Sequence, residues 1–276
     1  MCGLGLLFVV ACAALDRGGE FLSGRRALMT GDYQTASAYF ERVAQSDPNY
    51  VAPFSSFRES IWTYLGRAQY QTGKLTDAKR SLERALSQLP DDSVAKLYLG
   101  LTNIRLQTTE KKTGNPFTVQ DISFALRERV EPKRVAALAR ERGIAFDLNA
   151  ESEGQLRKAG ADDLLLDEIK KIRADATKQK KVDAIQLGEQ AKALSVALTA
   201  IRDQLDYLNT TRSGVFWDPN KEIRAHIQTA LSLLSVPQPD WQKVLNTGEW
   251  VGQKLEEEID QVRREESEEL RRQERR

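Results

Sequence analysis

Histidine and cysteine are nearly missing from this 276-residue chain, which has one His and two Cys. Both cysteines fall within the first twelve residues, so the body holds no disulfide framework and no His/Cys cluster for a metal site. The single imidazole, His226, sits in the middle of an apolar-periodic stretch, so a Ser–His or Cys–His catalytic pair has no evident base. Proline (8) and glycine (17) are also scarce, too few for the closely spaced turns of an all-β fold. Charge of one sign is lacking as well: 41 Lys plus Arg oppose 40 Asp plus Glu, a net +1, which gives no field to attract nucleic acid. A phosphate loop is absent, because Gly18-Gly19 is not followed by the Lys that such a loop requires. Glu256-Glu257-Glu258 reads as a solvated charge run. No metal, cofactor, nucleic acid or catalytic activity is therefore expected.

One apolar run remains, Met1 to Leu15, and it ends abruptly in Asp16-Arg17-Gly18-Gly19. It is shorter than the roughly 20 residues that cross a bilayer and reads as a targeting segment. Val9-Val10-Ala11-Cys12 resembles the lipobox of bacterial lipoproteins. The resemblance implies a signal segment over 1–16, acylation of Cys12 and attachment to the cell envelope on its periplasmic face. Ala13 after the cysteine, where sorted lipoproteins retained at the inner membrane carry Asp, implies the outer membrane. The alternative is a buried apolar N-terminal helix with a chance cysteine.

What the chain does contain is a repeat. Gly24, Gly31, Ala36 and Pro48 recur 42 residues later as Gly66, Gly73, Ala78 and Pro90. Trp62-x2-Leu65-Gly66, Gly73-Lys74-Leu75, Ala78, Ala85 and Leu89-Pro90 resemble the tetratricopeptide repeat. A further start at Leu99-Gly100 follows Gly66 by 34 residues, making Val51 to Arg58 an eight-residue insertion. The resemblance implies an array over 17–113, with repeats at about 17–50 and 59–92 and a capping half repeat at 93–112. Small residues let paired helices cross closely, and Gly31 and Gly73 provide the turns. The end of the array, at Leu97, Leu101, Ile104 and Leu106, needs a cover. By the same resemblance, the first helices of the repeats line a concave groove at Arg25, Leu28, Met29, Thr63, Arg67, Tyr70, Gln71 and Arg105. The stretch 17–112 holds 14 basic and 10 acidic residues, and the matched guanidinium forks of Arg25 and Arg67 suit the carboxylates of an acidic protein or peptide.

Thr113-Gly114-Asn115-Pro116 breaks the chain before a small helical module, 117–173, with helix starts at Thr118, Pro132, Asn149 and Asp162. Its 11 basic and 11 acidic residues argue against a DNA-groove reader. From 174 to 276 the pattern is long-helical. Leu187, Ala191, Leu194, Leu198, Ile201, Leu205 and Leu208 form one stripe, and helices at 223–234 and 241–262 carry matching stripes, which predicts an antiparallel bundle with a charged C-terminal tail. The fold class expected is all-α: a short tetratricopeptide array, a small helical module and a long-helix bundle. The functional expectation is a membrane-tethered, non-enzymatic scaffold for protein contacts. The alternative is a coiled-coil structural subunit of an envelope or enzyme complex, acting through the 178–262 helices.

Overall fold

The computed structural model describes residues 18–52, 57–109, 115–211 and 220–275. The signal and lipobox segment with Cys12, half of the Val51–Arg58 insertion and Thr113-Gly114 lie outside them. Among the described residues the fold is all-α. Helix α1 covers residues 18–29, followed by α2 (Tyr33–Ser46), α3 (Ile61–Gln71), α4 (Leu75–Gln88) and α5 (Ser93–Thr109). Three short helices come next, α6 (Val119–Arg127), α7 (Pro132–Arg142) and α8 (Ala150–Lys158). The chain then runs through α9 (Asp163–Thr211), α10 (Lys221–Leu234) and α11 (Trp241–Glu274). The described residues divide into two compact units, one drawn from Met1–Leu106 and Glu189–Arg276, the other from Gln107–Gly188.

In the larger unit, α1 pairs with α2 and α3 with α4. Each pair turns on a glycine in left-handed backbone, Gly31 at φ +80° and Gly73 at φ +77°. Gly73 N–H donates to the Tyr70 carbonyl and Lys74 N–H to that of Gln69, closing α3 with its last carbonyls satisfied. The crossing glycines have no room for a side chain: a Cβ on Gly24 would lie 2.7 Å from the Phe40 ring, and one on Gly66 would lie 2.6 Å from Leu82. Phe21, Phe40, Tyr50 and Tyr64 form an aromatic cluster in this first core, with Phe21 edge-on to Tyr64 at 5.0 Å.

Helix α5 repeats the pattern without a neighbour in sequence. Its Gly100 meets Leu194 of α9, where a Cβ would lie 3.2 Å away. Ser93 donates to Gln204 and Asn103 to Gln190, so α9 runs antiparallel to α5, and the 189–208 stretch acts as the second helix of a third repeat. The cover expected at the end of the array is therefore supplied from far along the chain. Leu97, Leu101 and Ile104 are buried, as are Ala191, Leu194, Leu198, Ile201, Leu205 and Leu208 of α9.

The domain borders differ from the sequence expectation. The sequence expects 17–113 and 174–276 as separate bodies, yet Met1–Leu106 and Glu189–Arg276 share one unit, because the apolar faces of α5 and α9 bury each other. The expected border at 173/174 falls inside α9, where neither glycine nor proline interrupts the helix between Asp163 and Gly188. α10 joins the same unit: its His226 ring stacks on Trp250 of α11 at 3.6 Å, and Arg224 pairs with Asp206 of α9 at 3.1 Å.

The smaller unit is built from helix caps. Thr118 and Asp121 form a reciprocal capping box on α6, Asn149 and Ser152 another on α8, and Pro132 opens α7. The Asp162 carboxylate accepts from Leu165 N–H at the start of α9. Ile122, Val135, Ala139, Leu156, Leu165 and Ile169 fill the core.

Candidate functional site: the repeat groove

The side of the array expected to form a groove, that of α1, α3 and α5, is occupied. Helix α11 lies in it, held by side chains from all three. Arg25 of α1 donates from Nη2 to Asp260 at 2.8 Å and to Glu256 at 3.3 Å. Arg67 of α3 donates from Nη1 to Glu256 at 2.7 Å and to Glu59 at 3.0 Å. Tyr70 donates its hydroxyl proton to Glu249, which also lies 4.0 Å from Arg105 of α5. Glycines make the fit possible: a Cβ on Gly248 would lie 2.6 Å from Leu101, and one on Gly252 would lie 2.6 Å from the Tyr98 hydroxyl. Close approach at two small residues, with carboxylates one and two turns further on, seats the helix.

The two arginines and Glu256 are at most 7% exposed. Arg264 adds a third cation at 2.6 Å from Asp260, so Arg25, Arg67 and Arg264 face Glu59, Glu256 and Asp260 in charge balance. Such balance is needed, because a buried charge without a partner is costly. Burial opposes the charge on Arg67, but Glu256 and Glu59 outweigh it and hold the guanidinium well above its ordinary pKa. The Arg67 guanidinium also lies 5.2 Å from the Tyr98 ring centre and 5.7 Å from that of Tyr64. Burial pushes the Tyr70 hydroxyl far up, helped by Glu249, and burial likewise raises Tyr98.

The expected groove residues divide into three groups. Arg25, Arg67, Tyr70 and Arg105 engage α11. Thr63 instead points into the array and donates to Asp92 at 2.6 Å; Asp92 in turn accepts from Ala95 N–H and caps α5. Leu28, Met29 and Gln71 line a recess of about 80 Å³ beside α11, closed on its other side by Gln253 and Glu257. The carboxylates expected from an outside partner are thus present within the chain.

Sequence reasoning missed the other half of this site. Glu256 and Glu258 were read as solvated, whereas both are buried and Glu257 alone of the three is exposed. A signal exists: Gly248, Gly252, Glu256 and Asp260 recur at steps of four, one face of a helix, but nothing local says that this face meets arginines more than 180 positions earlier. His226 is half-buried and stacks on Trp250. Among the described residues no group of three or more His, Cys, Asp or Glu could hold a metal ion, and no helix is long and apolar enough to cross a membrane.

Residues 27–99 match the family model described as tetratricopeptide repeat. A comparison with curated proteins found no match. Repeats of this kind are in general interaction modules rather than catalysts, and they imply a protein partner. That match begins near the end of α1, takes in α2, α3 and α4 with Arg67, and ends within α5.

Proposed function

We propose that the protein is a non-enzymatic scaffold of the bacterial cell envelope, anchored through an acylated Cys12 on the periplasmic face, with the outer membrane as destination, and that its repeats bind another protein. The observation that supports this reading is the groove itself. Matched arginines on successive repeats offer guanidinium forks to carboxylates, and α11 fits that chemistry from within the chain. A partner bearing Asp or Glu would meet the array at the recess that α11 leaves beside Leu28, Met29 and Gln71.

Photo-crosslinking residues placed at Gln71 and Gln253 in intact cells test the binding. The expected product is an adduct whose partner peptide, read by mass spectrometry, is rich in Asp and Glu. Self-adducts alone would remove the groove from the proposal. Anchoring is tested separately: Cys12→Ser should move the protein from the membrane fraction to the soluble one, and failure of the native protein to incorporate labelled fatty acid would end that part. The alternative reading, a structural subunit acting through the long helices, draws support from Val182 and Ile185, which are exposed on α9. It expects crosslinks at those two positions and none at Gln71.

A further inference from the structure

Helix α1 opens the repeat array, and one of its faces is left uncovered by the described residues, with Met29 at the rim of the recess beside α11. Phe21, Gly24, Ala27 and Leu28 are buried against the array and Arg25 enters the groove, whereas Gly19, Leu22, Arg26 and Met29 are exposed. Leu22 is 61% and Met29 is 42% exposed. Seven residues apart on a helix, they share a side, with Arg26 between them. Glu20, the one acidic residue of this helix, is engaged by Arg42 of α2, so the open face presents two long apolar side chains and a cation.

We infer that this face is a membrane contact, by which the N-terminal edge of the repeat array lies on the phospholipid surface. The inference rests on the acylation of Cys12 proposed above. From Cys12 to the first described residue, Gly18, is six residues, which span at most about 20 Å even when fully extended. An acyl chain in the bilayer therefore confines α1 to the neighbourhood of the headgroups and leaves little choice of which surface meets them. The chemistry matches: Leu and Met enter the boundary between headgroups and acyl chains, while an adjacent Arg meets phosphate. The anchor holds α1 at the surface, so a second contact next to it acts at high effective concentration. The outcome is an array that projects away from the membrane from α1 toward α5, with its orientation fixed at the anchor.

The test uses the processed, acylated full chain in vesicles of phosphatidylethanolamine with a minority of phosphatidylglycerol. An environment-sensitive fluorophore is attached through Leu22→Cys, Met29→Cys or, as a control on the exposed side of α4, Ser87→Cys. Quenching by spin-labelled lipid should be several-fold stronger at positions 22 and 29 than at 87, and Arg26→Glu should weaken it at 22. Equal quenching at all three positions, with acylation of Cys12 verified by mass spectrometry, would overturn the contact while leaving the anchor in place. Lack of acylation would overturn both. A doubled particle size in detergent, with label at position 22 shielded there, would assign the face to a second copy and likewise overturn the inference.

Discussion

Arg129 closes α6 at φ +64°, the one non-glycine among the described residues in left-handed backbone. Its N–H donates to Leu126 and that of Val130 to Ala125, the double bond pattern that elsewhere in this chain uses Gly31 and Gly73. Arg129→Gly should therefore raise stability by about 0.5–1 kcal/mol, visible as a higher thermal midpoint, whereas Gly73→Ala should lower it by about 1–2 kcal/mol. Asp92 offers a test by pH. Burial raises its pKa, against the hydrogen bonds from Thr63 and Ala95, so the folded state holds this proton more tightly than the unfolded chain does. The contribution of Asp92 to stability then grows as the pH falls from neutral through its folded pKa toward its ordinary value. Asp92→Asn, which keeps the cap on α5, should lose ground to the native protein over that window in denaturant titrations; parallel stability curves at neutral and mildly acid pH would contradict the assignment. At Arg67, replacement by Ala leaves Glu59 and Glu256 buried without their shared cation, an expected loss of about 3–5 kcal/mol. Combining it with Glu256→Ala should recover part of that loss, and strictly additive losses would mean that the pair is not coupled.

Among whole elements, the glycines of α9 and α11 separate two uses of one residue type. Gly188 has nothing within 4 Å of where a Cβ would stand, while Gly252 faces the buried Tyr98 hydroxyl at 2.6 Å. Gly188→Ala should stabilise α9 by about 0.5–1 kcal/mol through helix propensity alone. Gly252→Ala gains the same propensity but forces α11 off Tyr98, for a net loss of about 1–3 kcal/mol. Chemical denaturation of the two variants side by side gives opposite signs if α11 is seated as described. Helix α4 is similarly constrained. Ala78 is fully buried beside Gly66, and Ala78→Arg should cost several kcal/mol by crowding and by burying charge.

Across the molecule, the parts legible in the sequence are those whose cause is local. Gly31 and Gly73 mark turns, Gly24 and Gly66 mark close crossings, and Thr118, Asn149 and Asp162 mark helix starts, because each acts within a few residues of itself. The stripe from Ala191 to Leu208 is legible too, but its partner is not: periodicity gives the buried face of a helix, not what covers it. For that reason α9 reads as a member of a separate bundle, although it completes the third repeat with α5. Glu256 reads as solvated for the same cause, since its burial is decided by Arg25 and Arg67. Those arginines read as receptors for the carboxylates of another molecule, and the carboxylates they meet in the structure belong to α11.

That occupancy has a consequence in time. Arg25 and Asp260 are 235 positions apart, and α5 waits for Gln190 to Gln204 before its own partner exists. During synthesis, the first two repeats emerge with an open, positively charged groove long before the helix that fills it. Loop closure over such distances is slow compared with local helix formation. Refolding should accordingly show early helical signal, then a later step in which α11 docks, the His226–Trp250 stack forms and the tryptophan fluorescence changes. Until that step the groove is open to any acidic helix that reaches it first, so α11 acts in effect as the repeats' own chaperone.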